Sequence, residues 1–446
     1  MACVGSARGQ AVIDGGELAP ALTHALTHRL DVVGIGDSNQ LFGAHGFDHG
    51  QTVAWTESFG CWATGLTSSG ENDGVGAGMG YESNVFSTYP SDIVYQGAPK
   101  PLDHVMAGIG GVHPHRYAYI PRDRFVSSSK LMGMSVTGLH PLGVSGPLRA
   151  LFVYGTFERA PDSNDPTSTF TPMARVDVPP YTILARGTPV STTSTPRSEI
   201  KSVTLDIPAD AARTTPVGVR WTDPATPRLD GPFLAFYQRL ERSDKANGVA
   251  FNTLYARGGQ SARDMAEQLI NAPNAQLKAY FAVLRDRQAE APNQGTTPAR
   301  RILIRINTGL NDMNEALQSV GHNRIADGDS PEAFADNLQA IIDRIREIWT
   351  ISAWPEDELY FALVPSHPIP TETGEPELLT LRAAAEAVAQ ANPRCACVRL
   401  DRLVTSQEMI QQNWYNSSAD RYHLQQDGYV EISRREVAAL RQAAGL

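Results

Sequence analysis

Residues 33–40 read Val-Gly-Ile-Gly-Asp-Ser-Asn-Gln, an apolar run that ends in Gly-Asp-Ser and opens onto a new segment. This order predicts that Ser38 presents its hydroxyl at the carboxyl end of a strand. If a helix begins there, its free N–H groups favour the negative charge that forms when a serine attacks a carbonyl group. The tripeptide is also typical of a helix N-cap, because Asp and Ser side chains accept hydrogen bonds from the first helical N–H groups. The rest of the chain decides between these two interpretations.

The length and composition indicate a folded protein with more than one domain. The chain has 446 residues, more than one hydrophobic core usually spans. A hydrophobic fraction of 41% and a charged fraction of 19% are typical of a folded, soluble protein. The net charge of -10, without any basic run, argues against a nucleic-acid partner. The oligomeric state stays open.

The compartment is also open from the sequence. No apolar run is long enough to span a bilayer, and residues 1–30 lack the basic start and apolar middle of a secretion signal. The protein is therefore expected either in the cytoplasm or exported with its signal removed. The four cysteines are too few for a disulfide scaffold and are interpreted as buried thiols: Cys3, Cys61, Cys395 and Cys397.

Strand-like and helix-like segments alternate at the two ends of the chain. The predicted strands are 30–35, 249–255, 301–307, 358–364 and 395–400. Each precedes a segment with helical spacing, at 39–65, 262–284, 331–349, 378–391 and 428–444. This alternation predicts an α/β fold with a five-stranded parallel sheet of the flavodoxin-like kind.

An inserted region interrupts this layout after its first strand and helix. Short strand-like runs separated by Pro, Thr and Asp-rich turns are found at 148–157, 174–178, 182–185, 200–207, 217–221 and 233–240. They predict an all-β domain, a β-sandwich, at about 140–245. The predicted division is therefore 1–80 and 246–446 for the α/β domain and 81–245 for the insertion. The alternating glycines of residues 74–80 are interpreted as a lid or linker.

Polar residues follow several of the predicted strands. The first strand delivers Ser38, the second Gly258-Gly259, and the third the run 308–312, which contains Asn311, while residues 420–423 precede the last helix. In parallel sheets the site forms at the carboxyl ends of the strands. A serine nucleophile needs a base, a group that orients the base, and donors for its oxyanion. Each role has a candidate here.

These blocks resemble the SGNH hydrolases, also called the GDSL esterases, whose motifs are Gly-Asp-Ser, a Gly, Gly-x-Asn-Asp and Asp-x-x-His in this order. The resemblance implies that Ser38 is the nucleophile, His423 the general base and Asp420 the residue that orients it. It further implies an oxyanion hole made of Ser38 N–H, Gly259 N–H and the Asn311 side chain. Gly258 is an alternative for the second block. The family usually has Leu or Ile where this chain has Asn39.

The resemblance implies a serine ester hydrolase that forms an acyl-enzyme and needs neither cofactor nor metal. Members with an additional β region often remove acetyl groups from polysaccharides, so the expected substrate is an acetylated saccharide. Esters of lipids, aryl groups or polymers, and acyl transfer to an alcohol, would use the same residues. The alternative from another class is a carbohydrate-binding protein with a degenerate hydrolase domain.

Three further patterns have a functional interpretation and an ordinary structural or chance one. The pairs His113/His115 and His45/His49 have spacings a metal could use, but no cysteine or carboxylate set accompanies them, so a solvated or substrate-side role is favoured. The motif at 416–418 matches a glycosylation acceptor, which is frequent by chance. Six aromatic residues are candidates for sugar stacking or, equally, for core packing: Tyr81, Phe86, Tyr89, Tyr95, Tyr117 and Tyr119.

Overall fold

A computed structural model of the chain describes residues 9–41, 47–59, 61–64, 132–135, 148–156, 167–176, 182–186, 190–193, 200–207, 216–221, 233–242, 247–256, 261–272, 274–291, 299–313, 330–371, 374–418 and 420–446. Its strands are β1 (Val12–Ile13), β2 (Arg29–Gly36), β3 (Cys61–Thr64), β4 (Met132–Ser135), β5 (Leu148–Thr156), β6 (Thr167–Val176), β7 (Thr182–Arg186), β8 (Val190–Thr193), β9 (Ile200–Ile207), β10 (Pro216–Trp221), β11 (Phe233–Arg242), β12 (Gly248–Ala256), β13 (Ile302–Thr308), β14 (Leu359–Pro365) and β15 (Cys395–Val398).

The helices of the described residues are α1 (Ala19–Ala25), α2 (Ser38–Leu41), α3 (Phe47–Phe59), α4 (Ala262–Asn271), α5 (Asn274–Ala289), α6 (Pro331–Ile351), α7 (Gly374–Ala391), α8 (Leu400–Leu403), α9 (Ser406–Gln411) and α10 (Gln426–Ala443). Two 3-10 turns lie at Gly15–Leu18 and Glu356–Glu358.

Parallel strands form the centre of the main sheet. They lie in the order β12-β2-β13-β14-β15, with parallel pairing between every two neighbours. This is the order of a flavodoxin-like sheet, and it confirms the predicted parallel α/β layout. The sheet is larger than the predicted five strands, because β1 pairs antiparallel with β15 and further strands continue beyond β12, which gives ten strands among the described residues.

Alternating side chains of the central strands pack into two helical layers. On β2, Val33 and Ile35 belong to the core cluster that also contains residues of α4 to α7. Leu30 and Val32 belong to the opposite cluster, with residues of α1, α3 and α8 to α10. Since successive side chains of a strand point to opposite faces, a strand buried on both faces reads as a continuous apolar run. The α/β part is therefore a three-layer structure with the sheet in the middle.

The strands between α3 and β12 are divided between two sheets. β3 pairs in parallel with β12 and antiparallel with β11, and β5 and β9 follow, so four strands extend the main sheet. β4, β10, β6, β7 and β8 form a second sheet. The β-sandwich predicted at about 140–245 is not confirmed, because β5, β9 and β11 of this range continue the main sheet beyond β3. The domain boundaries at 80 and 245 stay predictions.

Two predicted helices are also interrupted. The segment 39–65 contains α2, α3 and the strand β3 instead of one helix. The segment 262–284 divides into α4 and α5 at Ala272, whose ψ of 130° is extended. Pro273 follows Ala272 in the sequence, and a proline disfavours the helical conformation of the residue before it.

Candidate active site

The Gly-Asp-Ser turn combines the cap and the presented hydroxyl. The Asp37 Oδ1 atom accepts a hydrogen bond of 2.8 Å from the N–H of Asn39, as an N-cap side chain does. Asp37 is buried, while Ser38 is partly exposed at the start of α2. The two interpretations of the tripeptide therefore fall on different residues: Asp37 caps the helix, and Ser38 keeps its hydroxyl for another partner.

Burial raises the pKa of Asp37 to about 7, although hydrogen bonds from Asn39 and the charge of Arg305 oppose the shift. A carboxyl group whose pKa is raised on folding stabilises the protein below its unfolded pKa and loses that contribution as the pH rises through the folded pKa. Asp37→Asn keeps an oxygen for the Asn39 N–H but does not titrate. The melting temperature of this variant is expected to rise relative to that of the wild type between about pH 5 and about pH 8. A constant difference in melting temperature between the two proteins over this range would contradict the raised pKa of Asp37.

Two glycines of β2 make room for the helix that carries Ser38. A Cβ atom on Gly36 would lie 2.5 Å from the Cβ of Gln40, and one on Gly34 would lie 2.8 Å from its Nε2. The alternate glycines of the motif therefore let Gln40 fold back over the strand. Its Oε1 accepts a hydrogen bond of 2.8 Å from Arg305 Nη1.

Arg305 forms a buried ion pair behind the Gly-Asp-Ser turn. It extends from β13 and donates to both carboxylate oxygens of Glu436 on α10, at 2.8 and 2.7 Å. The two side chains are 1% and 0% exposed. Gln51 donates to Glu436 from α3 at 2.8 Å. The pair thus joins β13, α2, α3 and α10.

Arg305→Met is expected to lower the free energy of unfolding by about 3–5 kcal/mol, because it leaves the Glu436 charge buried without its partner. Chemical unfolding monitored by circular dichroism measures this loss. The double variant Arg305→Met/Glu436→Leu is the control, and it is expected to lose less than the single variant because no isolated charge remains. A loss below about 1 kcal/mol for the single variant would show that this pair does not stabilise the fold.

A chain of hydrogen bonds joins Ser38, His423 and Asp420. His423 Nε2 lies 2.9 Å from Ser38 Oγ, and the two residues are 385 positions apart in the sequence. His423 Nδ1 lies 3.0 and 3.1 Å from the two carboxylate oxygens of Asp420. The structure thus brings together the three residues that the sequence assigned to the nucleophile, the base and the orienting carboxylate.

The loop 414–425 holds the His423 and Asp420 side chains. Its two ends are tied by an isolated antiparallel bridge between Tyr415 and Leu424, and the N–H of Asn416 donates to the carbonyl of His423 at 2.9 Å. Asp420 Oδ1 accepts from the backbone N–H groups of Tyr422 and His423 at 3.2 and 3.1 Å. Asn416 Nδ2 donates to Asp420 Oδ2 at 3.0 Å.

These contacts keep Asp420 ionised. Burial by itself would raise the pKa of Asp420, but the Asn416 hydrogen bond, the His423 charge and the hydrogen bonds from His423 outweigh it and lower the pKa. An ionised carboxylate only accepts hydrogen bonds, so His423 Nδ1 carries the proton. The lone pair of Nε2 therefore faces Ser38, in the tautomer that a general base needs.

Asn311 follows the neighbouring strand and is 5% exposed. Its loop begins at Gly309, whose φ of 111° favours glycine. Asp312 is fully buried, and its Oδ2 accepts from Gly309 N–H at 3.0 Å and from Thr308 Oγ1 at 3.1 Å. Its Oδ1 accepts from the N–H of Ala262 at 2.8 Å. Asp312 therefore fastens the Asn311 loop to the start of α4.

The structure describes the residues that follow the second motif, the single glycine, but not the glycine itself. Gly258 and Gly259 lie outside the described residues, so the choice between them stays a prediction. Ser261, two positions after Gly259, is the N-cap of α4 and forms a capping box with Asp264. The Asp312 contact with Ala262 brings the Gly-x-Asn-Asp loop next to this helix start.

Sequence reasoning missed three residues that lie near these groups. Asn416 supports Asp420, although its motif suggested only a glycosylation acceptor. Tyr429 donates a hydrogen bond of 2.6 Å to Asn39 Oδ1, so the unusual residue after Ser38 contacts α10. His367 is buried after β14, and burial, reinforced by the charges of Arg382 and His423, lowers its pKa to about 3. The contact between Asn39 and Tyr429 joins residues 390 positions apart and therefore leaves no local pattern in the sequence.

The remaining predictions concern metal ligands, aromatic residues, cysteines and membrane spans. Among the described residues, no group of three or more His, Cys, Asp or Glu side chains could hold a metal ion. His45, His113, His115 and the six aromatic candidates lie outside those residues, as does the side chain of His49. Cys395 and Cys397 are buried free thiols, as predicted, while Cys3 and the side chain of Cys61 are outside the description. In the described part of the chain, no helix is both long and apolar enough to cross a bilayer.

No protein-family model matches the sequence, and no curated protein matches it. Among solved structures, the chain is similar to a peptidoglycan O-acetylesterase, with 11% identity, a TM-score of 0.48, and coverage of 98% of this chain and 99% of that chain. It is also similar to Est24, a carbohydrate acetylesterase from Sinorhizobium meliloti, with 13% identity, a TM-score of 0.26, and coverage of 44% and 80%. A third similar structure is a family two carbohydrate esterase from Clostridium thermocellum, with 10% identity, a TM-score of 0.28, and coverage of 68% of this chain and 93% of that chain. These TM-scores lie below 0.5, so the likeness carries no inference about function.

Proposed function

We propose that this chain is a serine ester hydrolase in which Ser38 forms an acyl-enzyme. The observation that carries the proposal is the continuous hydrogen-bond chain from Ser38 Oγ through both His423 nitrogens to Asp420, with distances of 2.9 and 3.0 Å. A hydroxyl, a correctly oriented imidazole and an ionised carboxylate are the groups that nucleophilic acyl transfer needs. Such a set on the carboxyl side of a parallel sheet has no structural role that would explain all three.

The proposed reaction runs in two halves. In the first, His423 Nε2 takes the Ser38 proton as Oγ attacks the ester carbonyl, and then returns that proton to the leaving alcohol. In the second, His423 takes a proton from water as this water attacks the acyl-enzyme, and then returns that proton to Ser38 Oγ as the acid leaves. The N–H of Ser38, the N–H of Gly259 and the Asn311 amide are the proposed donors to the oxyanion in both halves. The proposed reaction requires no cofactor and no metal.

The proposed substrate is an O-acetylated saccharide. This part rests on the resemblance to SGNH hydrolases that carry an additional β region, and the strands β4 to β11 occupy the corresponding place in this chain. A panel of p-nitrophenyl esters of increasing chain length and acetylated glycans, assayed with the wild type and Ser38→Ala, tests it. Release of acetate from glycans, with acetyl esters preferred to long-chain esters, supports the proposal. Preference for long-chain, aryl or polymeric esters, or an acylated alcohol as product, would assign another substrate class or acyl transfer.

The non-enzymatic alternative makes a different prediction in the same experiment. A carbohydrate-binding protein with a degenerate domain would bind glycans without releasing acetate, and Ser38→Ala would change nothing. The ionised Asp420 and the oriented His423 favour the enzyme, because a chain that only binds sugars has no use for either.

Asn311→Ala is expected to lower kcat by about a hundredfold or more while KM changes little, because its amide is proposed to meet charge that exists only in the transition state. Steady-state kinetics with p-nitrophenyl acetate measures both constants. Asn307→Ala is the matched control, since Asn307 lies on β13, the strand that leads into the Asn311 loop, but donates to the Val364 carbonyl. An effect on KM alone would contradict the oxyanion role of Asn311.

A further inference from the structure

One hydroxyl group lies between the two halves of the candidate active site. Tyr429 Oη is 2.6 Å from Asn39 Oδ1, and it accepts a hydrogen bond of 3.2 Å from the N–H of Leu424. Asn39 directly follows Ser38, and Leu424 directly follows His423. The Tyr429 hydroxyl thus touches the neighbour of the proposed nucleophile on one side and the neighbour of the proposed base on the other.

The polarity of these two bonds is fixed. A backbone N–H can only donate, so Tyr429 Oη accepts from Leu424 and directs its own proton to Asn39 Oδ1. Burial raises the pKa of Tyr429, so the hydroxyl keeps that proton. Tyr429 is fully buried and Asn39 is 1% exposed, so water does not replace either contact.

The two segments that carry Ser38 and His423 have to be held at a fixed separation. Ser38 and His423 come from opposite ends of the chain, and the distance between Oγ and Nε2 has to stay near 2.9 Å for proton transfer. The α2 helix has only four residues. Tyr429 extends from α10, whose 18 residues pack against α3 and the sheet. Tyr429, a side chain on this long helix, therefore holds both short segments in place relative to α10.

We propose that Tyr429 is a positioning residue, which uses its hydroxyl to hold Ser38 and His423 at reacting distance, and that Asn39 is its partner in this role. A Leu side chain at position 39 could not accept the hydrogen bond, so the Asn39 amide and the Tyr429 hydroxyl act as a pair. This inference rests on the proposed function, because it assigns the contact a purpose in the Ser38 and His423 reaction.

Tyr429→Phe, Asn39→Leu and the double variant test the proposal. Each single variant is expected to lower kcat for p-nitrophenyl acetate by about ten- to a hundredfold with little change in KM, because a small misplacement of reacting groups slows the chemical step. The rate at which a fluorophosphonate labels Ser38 should fall by the same factor. Since Asn39 and Tyr429 share one bond, the double variant should lose no more kcat than the worse single variant, whereas independent effects would multiply.

Tyr280→Phe is the matched control. Tyr280 is another fully buried tyrosine, on α5, where it packs against Phe281. Its variant removes the same atom and should keep the kcat and labelling rate of the wild type. Wild-type kcat and labelling in Tyr429→Phe, with or without a lower melting temperature, would overturn the positioning role while leaving the hydrolase proposal intact. If the wild type itself neither hydrolyses esters nor labels at Ser38, the proposed function fails and this inference fails with it.

Discussion

Ser38→Ala is expected to lower kcat for ester hydrolysis by about a million-fold, to the level of catalysis that binding and oxyanion donors supply without a nucleophile. The reason is geometric: the Ser38 hydroxyl lies 2.9 Å from His423 Nε2, within hydrogen-bond distance of the proposed base. His423→Ala is expected to have an effect of the same size, because the serine proton then has no acceptor. Steady-state kinetics with p-nitrophenyl acetate measures both losses.

The combination of the two variants gives the sharper result. When two residues act as one unit, the loss of either already abolishes the contribution of both to kcat. The double variant Ser38→Ala/His423→Ala should therefore be no slower than either single variant. Thermal unfolding and circular dichroism provide the control, since both side chains are only partly buried and their truncation leaves the core intact. Retention of wild-type hydrolysis by either single variant would contradict the mechanism.

Asp420→Asn is expected to lower kcat by about ten-thousandfold, the second largest effect. An amide can donate a hydrogen bond to His423 Nδ1 and so stabilise the tautomer whose Nε2 carries the proton, which cannot accept the proton of Ser38. It also removes the charge that stabilises the imidazolium formed during the reaction. KM should change little, since Asp420 faces His423.

Asn416→Ala is the matched control for this variant. It removes one hydrogen bond of 3.0 Å to Asp420 Oδ2 but leaves the carboxylate and its contacts with His423 in place. Its effect on kcat should be far smaller than that of Asp420→Asn. A loss of less than about tenfold in Asp420→Asn would show that another group orients His423.

Much of the α/β layer could be predicted from the sequence because its signals are local. The segment 302–308 is buried on both faces and reads as a nearly continuous apolar run, and the predicted strand at 301–307 differs from β13 by one residue at each end. The motifs of the candidate site could also be predicted from the sequence. Ser38, Asn311 and the Asp420–His423 pair each follow a strand or precede the last helix, and the order of the sheet then brings them to one edge.

The features that sequence reasoning missed depend on pairing between distant segments. Nothing local in residues 61–64 shows that they pair with both β12 and β11, so the continuation of the main sheet into the insertion was not predicted. Arg305 appears as a single charge inside an apolar run, and its partner Glu436 lies 131 residues away on a helix. The same holds for Asn39, whose partner Tyr429 lies 390 residues away.

Covalent labelling tests the central claim most directly, because it identifies the nucleophile without any assumption about the natural substrate. The native protein is treated with a fluorophosphonate, digested, and the modified residue is located by mass spectrometry; His423→Ala is treated in parallel. A serine reacts with this reagent when a base takes its proton. The proposed mechanism requires one adduct, on Ser38, in the wild type and almost none in His423→Ala. An adduct on another residue with Ser38 unmodified would contradict it.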